Sequence, residues 1–104
     1  MNSVAVFCGA NKGAHPWFEE AAYELGKTLA ERGTRVLFGG GSVGLMGVLA
    51  DAVLAHNGQI TGIITHQLDG LELGHPSVLD MIRVESMSER RVLLLRDTDG
   101  VITM

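Results

Sequence analysis

One cysteine, Cys8, is too few for an internal disulfide, and it fits a chain that folds in a reducing compartment. Basic runs are missing too. Lys and Arg number 8 against 12 Asp and Glu, a net charge of −4, the opposite of the balance that lets a general nucleic-acid binder neutralise phosphates. No apolar stretch approaches the ~20 residues that span a bilayer. The opening Met-Asn-Ser-Val-Ala-Val-Phe has no basic region ahead of a long apolar core, so it does not read as a signal peptide. The expectation is a cytoplasmic protein with no membrane and no nucleic-acid partner. His15, His56, His66 and His75 show no ligand spacing, so no metal site is expected.

What is present is apolar residue and glycine. Apolar residues make up 46% of the 104 and charged ones 19%, enough for one folded core and against disorder. The chain reads as a single domain over residues 1–104. Its 14 glycines are about twice the usual ~7% share. They stand at the ends of apolar segments, where turns and close backbone approaches need them.

Residues 4–8, Val-Ala-Val-Phe-Cys, form a short apolar run stopped by Gly9. Such a run without polar alternation suits a strand buried on both faces of a parallel sheet. Pro16 then stands where a helix start tolerates its missing N–H. Phe18, Ala22, Leu25 and Leu29 recur at helical steps as one apolar face, closed by Arg32 and Gly33. Residues 35–38 predict a second strand. Leu45, Val48, Leu49, Ala52 and Val53 predict a second helix ending at Asn57-Gly58. Residues 59–65 read as a third strand, 66–77 as a loop whose length hints at function, and 81–84 as a fourth strand. Ser86-Met87-Ser88-Glu89 spells a capping box for a helix over 87–96, and 101–104 begins another buried strand.

This alternation specifies an α/β domain with a parallel sheet. The sequence stops in a core strand, so it reads as the N-terminal portion of a longer, doubly wound domain.

Residues 39–47, Gly-Gly-Gly-Ser-Val-Gly-Leu-Met-Gly, carry the strongest signal. Gly39, Gly41 and Gly44 fit G-x-G-x-x-G between a strand and a helix. Glycines there let the backbone approach an anion, unpaired N–H groups point at it, and Ser42 adds a hydroxyl. The bland reading is a turn that only lets helix and strand pack closely. A dinucleotide site would place the fingerprint after the first strand, with an acid ~20 residues on. Here it follows the second strand, and the third ends at Thr65-His66 with only Asp69 nearby. The Gly-Lys-Ser/Thr of a Walker loop is absent. Both misses point to a single terminal phosphate.

Asn11 and Lys12, after the first strand, lie at the same carboxyl edge and reach either a ligand or solvent. Cys8 reads as a strand residue rather than a nucleophile. On the helix over 87–96, Met87, Arg90, Arg91 and Leu94 share one face. Arginine on such a face either pairs with an acid, here Glu85 or Glu89, or meets a phosphate or carboxylate. His66 and His75 flank the long loop and either touch a ligand or, the blander reading, sit in solvent, and Asp51 reads as an exposed helix residue.

Phe7-Cys8-Gly9, the turn ending in Gly-Leu-Met-Gly, and Met87-Ser88-Glu89-Arg90-Arg91 together resemble the Lonely Guy family of cytokinin riboside 5′-monophosphate phosphoribohydrolases, long labelled lysine decarboxylase-like. The resemblance runs from end to end. It implies a Rossmann-like fold, a homodimer, no cofactor, and hydrolysis of a purine nucleoside 5′-monophosphate to free base and ribose 5-phosphate. By matching position, Gly40, Gly41, Ser42 and Gly44 would hold the 5′-phosphate, Met46 would line the pocket, and Arg90 would be the catalytic arginine. Gly9, Met87 and Arg91 fall in the same matched motifs.

Three departures accompany the match. The lysine after the arginine is Arg91, the serine after Cys-Gly is Ala10, and the family's second signature, Pro-Gly-Gly-x-Gly-Thr-x-x-Glu, is absent. That signature brings the rest of the phosphate cradle and a catalytic glutamate, so these 104 residues alone are expected to be inactive. The other readings are a non-catalytic nucleotide-binding module and a nicotinamide-cofactor enzyme.

Overall fold

A computed structural model describes residues 2–7, 16–42, 44–67, 74–96 and 98–103. Its strands are β1 (Ser3–Phe7), β2 (Arg35–Phe38), β3 (Ile60–Thr65), β4 (Met81–Val84) and β5 (Gly100–Thr103); its helices are α1 (Pro16–Glu31), α2 (Gly44–Ala55) and α3 (Met87–Arg96). The strands form one sheet in the order β4-β3-β2-β1-β5. Every neighbouring pair is parallel.

Strand side chains alternate between the two sheet faces, and each face meets its own helices. Val4, Val6, Val36 and Phe38 pack with Leu29, Ala30, Leu49 and Val53 of α1 and α2. Ala5, Leu37, Ile63 and Val84 point the other way, against Leu94 of α3. Double coverage explains why the strand sequences show no polar alternation, and all six residues of β3 are buried. The hydroxyl of Thr61 on that strand donates to Asp80 Oδ2 at 2.6 Å.

Strand order reverses at β1. The chain runs from β1 outward to β4, then returns through α3 to β5 on the other side of β1. In open α/β sheets the crevice at such a switch point, outside the strand carboxyl ends, is where ligands bind. The expected α/β, Rossmann-like parallel sheet is what is observed.

Two expectations need correction. Phe18 does not sit on the buried face of α1; it is 40% exposed. Ala22, Leu25 and Leu29 of the same expected face do meet the core, and the buried Gly26 joins them, because small residues let α1 approach α2. A methyl at Gly26 would come within 2.7 Å of the Leu49 carbonyl and 2.8 Å of Ala52 Cβ. Within these 104 residues the last strand is only partly buried: among the described residues β5 pairs with β1 at the end of the sheet, and Val101 is half exposed.

Helix ends follow the sequence signals closely. Gly33 takes φ 70° after α1, and the N–H of Thr34 donates back to the Leu29 carbonyl at 3.0 Å. After α2 the left-handed residue is Asn57 (φ 59°), while Gly58 packs against Ala30. At the start of α3, Ser86 Oγ accepts from the Glu89 N–H at 3.2 Å. The Glu89 carboxylate reaches back to the N–H of Glu85, one residue beyond the usual capping-box partner.

Candidate functional site

The glycine-rich turn leaves β2 at its carboxyl end and enters α2. Gly39, Gly40 and Gly47 each have a steric reason to lack a side chain. A methyl at Gly39 would overlap Nη2 of Arg90, and one at Gly47 would overlap the Ser42 carbonyl. Gly40 takes φ 79° and lies over β3, so that a methyl there would sit 2.8 Å from Met81 Sδ and 3.2 Å from Ile64 Cβ. Gly44 opens α2 at φ 61°. Gly41 is buried and bridges to Gly74 in antiparallel fashion, and Ser42 beside it is half-buried.

Arg90 enters from α3 on the far side of the same turn. Its Nε donates to the Ile63 carbonyl at 2.8 Å, its Nη2 to the Gly39 carbonyl, and its Nη1 contacts Met87 Sδ at 3.6 Å. The guanidinium is thus spread across the ends of β2 and β3. Burial lowers its pKa from the ordinary arginine value, yet a guanidinium keeps its proton throughout the range in which proteins fold. Among the described residues its partners are carbonyls and a thioether, with no carboxylate. Pairing with Glu85 or Glu89 is therefore not observed: Glu89 caps its own helix, and Glu85 lies 3.4 Å from His66 Nε2.

A cavity of about 310 Å³ opens beside this cation. Val6 and Phe7 from the end of β1, Gly39, and Met46 from α2 form one side. Met87, Arg90, Arg91 and Leu94 form the other, so the four residues placed on one helical face do share it. Arg91 is exposed at the mouth. The pocket is apolar-walled with a fixed positive charge, a build that suits an organic anion. A second cavity of about 440 Å³, at the opposite edge of the sheet, includes Asn2, Arg35 and Asp80, and its Asp80 already bonds Thr61.

Gly9, together with Cys8, Asn11, Lys12 and Asp69, lies outside the described residues. Among the described residues no three His, Cys, Asp or Glu side chains cluster to hold a metal, and no helix is long and apolar enough to cross a membrane. His75 overturns its expected place. Instead of sitting in solvent it is buried, with Nε2 2.7 Å from Asp51 Oδ1. No spacing signal links two residues 24 positions apart. The roles of the Ile63 carbonyl and of Gly39 as space for Arg90 were equally invisible, since neither involves a side chain that sequence could flag.

By fold and site this is a Rossmann-like α/β protein whose candidate pocket opens at the carboxyl edge of its sheet. The chain belongs to the SLOG cluster4 family, whose sequence profile matches residues 1–104. It is 39% identical over 101 residues to the probable cytokinin riboside 5′-monophosphate phosphoribohydrolase LOGL1 of Oryza sativa subsp. japonica. It is 35% identical over 101 residues to the cytokinin riboside 5′-monophosphate phosphoribohydrolase LOG7 of Arabidopsis thaliana. Both matches cover 97% of this chain but 45% and 46% of the relatives, so the chain spans less than half their length.

Solved structures of the same fold include TM1055, at TM-score 0.82 and 28% identity over 100% of this chain and 61% of that one. A molybdenum cofactor binding protein from Rippkaea orientalis matches at TM-score 0.82 and 24% identity, over 97% of this chain and 60% of its own, a likeness of fold alone. The resemblance to the Lonely Guy family drawn from the motifs is borne out.

Proposed function

We propose that the whole protein hydrolyses the N-glycosidic bond of adenosine 5′-monophosphate or an N6-substituted form of it, releasing free base and ribose 5-phosphate. Arg90 carries this reading: a guanidinium fixed on the Gly39 and Ile63 carbonyls, beside the glycine turn, with no carboxylate among its described partners. A cation held in place in advance stabilises charge that develops as a bond breaks. The naming of relatives at 35–39% identity as phosphoribohydrolases supports the same reaction.

In this reaction water adds its hydroxyl to C1′ and the C1′–N9 bond breaks. The electron pair passes into the purine, and the water's remaining proton ends on the base. We assign Arg90 to the electron-rich leaving base as the catalytic residue. Gly9, Gly40, Gly41, Ser42 and Gly44 are assigned to the 5′-phosphate, through backbone N–H groups, the Ser42 hydroxyl and the start of α2. Arg91 adds a second positive charge at the mouth, and Met46 and Met87 supply apolar wall. No metal or cofactor is part of the scheme.

Three further parts belong to the proposal. The protein is a homodimer joined through α3, where Met87, Val92 and Leu95 are exposed next to the arginines. It works in the cytoplasm, in keeping with its single cysteine. The 104 residues alone do not turn over, because Pro-Gly-Gly-x-Gly-Thr-x-x-Glu is not among them. Release of base from AMP or isopentenyladenosine monophosphate by the full-length protein tests the reaction. A nucleotide that raises the melting temperature but comes back intact would favour a binding module instead.

A further inference from the structure

We infer that His75 is a positioning residue for the anion-binding turn, acting through the peptide groups of Gly40 and Gly41 and held in place by Asp51. The inference rests on the assignment of that turn to the phosphate. His75 is 8% exposed, and both ring nitrogens are engaged. Nδ1 accepts from the Ser77 N–H at 3.2 Å, so the ring proton sits on Nε2 and donates to Asp51 Oδ1 at 2.7 Å. Its backbone N–H donates to the Gly40 carbonyl at 2.8 Å. Asp51 lies on α2, the helix that the turn feeds, so His75 closes a ring from Gly40 through the segment at 74–78 and back by α2.

The consequence follows from peptide planarity. In a trans peptide the C=O and the following N–H point in opposite directions. The Gly39 carbonyl is held by Arg90, which fixes the N–H of Gly40; the Gly40 carbonyl is held by His75, which fixes the N–H of Gly41. Glycine peptides rotate at little cost, so donors in a run of three glycines need such outside anchors to stay aimed. Arg90 and His75 supply one each.

The test measures ribose 5-phosphate and inorganic phosphate binding by calorimetry, with steady-state kinetics on AMP, in full-length protein. His75→Ala and Asp51→Ala are expected to raise both dissociation constants roughly tenfold, the size of effect seen when a positioning shell loosens. The loss should fall mainly in KM rather than kcat. Asp51→Asn keeps an oxygen that accepts from Nε2 and should restore affinity to within about threefold, as a lost hydrogen bond to a neutral rather than charged acceptor implies. Asp51 is mostly exposed, so its variants keep the test alive if His75→Ala does not fold.

Folded variants that bind both probes as wild type does, with only a lowered Tm, overturn the inference while base release stands. Anion binding that weakens in the variants of a protein releasing no base upholds it and removes the hydrolase reading. A wild-type protein that binds neither probe overturns both.

Discussion

Arg90 donates to the carbonyl of Gly39 from 51 positions away, and Gly39 has no side chain where one would strike the same guanidinium. The first glycine of the turn is therefore a seat for the arginine as much as a flexible joint. Gly39→Ala should push the guanidinium off both carbonyls. Overpacking of this kind costs about 1–3 kcal/mol, and a displaced catalytic group costs on the order of 10²-fold in rate. Urea unfolding and kcat/KM on AMP check the two numbers separately. Wild-type kcat/KM in Gly39→Ala would detach the arginine from catalysis.

Arg90→Lys keeps a charge but cannot span two carbonyls with one ammonium, so activity should fall about 10²-fold or more. The pH profile adds a sign. Burial lowers the pKa of the cation at this place, and a lysine ammonium starts from a lower ordinary value than a guanidinium. The residual rate of the lysine variant should decline toward alkaline pH, where burial makes the ammonium lose its charge earlier than a free lysine, whereas wild type shows no such decline from this residue. Identical alkaline limbs would contradict the assignment.

Gly40 and Gly33 both have positive φ, at 79° and 70°, yet only Gly40 has neighbours where a Cβ would go. Alanine at Gly33 should cost about 1 kcal/mol or slightly more, from backbone strain alone. Alanine at Gly40 should cost about 2–4 kcal/mol, since contact with Met81 and Ile64 adds to the strain. Equal shifts in urea midpoint would mean that packing over β3 plays no part.

The exposed α3 residues Val92 and Leu95 should become charged without cost to a monomer, because a lone surface substitution is worth about ±0.5 kcal/mol. If a second copy covers them, Val92→Lys with Leu95→Lys shifts the sedimentation of the full-length protein from dimer to monomer. A dimer that persists places the subunit contact elsewhere.

The order of strands and helices was legible because each element carries its own burial period. β1 and β3 lack alternation since both their faces are covered, and Ser86 with Glu89 marks the start of α3. The face of α1 was legible at Ala22, Leu25 and Leu29 but not in full: Phe18 is exposed, and Gly26, where the helices touch, leaves no mark on a hydrophobic pattern. In the site, the shared face of Met87, Arg90, Arg91 and Leu94 came directly from helical spacing. The choice between an acid and a ligand for Arg90 did not, because its anchors are main-chain carbonyls on β2 and β3. The His75–Asp51 bond joins residues that only the folded chain brings together.

The most direct measurement is base release by the full-length protein, wild type beside Arg90→Met. Each is incubated with AMP and with isopentenyladenosine monophosphate, and the products are separated chromatographically. The account predicts free adenine or isopentenyladenine together with an equal amount of ribose 5-phosphate from the wild type, and a rate at least about 10²-fold lower from the variant. Intact nucleotide in every wild-type reaction, or equal base release with and without the Arg90 guanidinium, would contradict it.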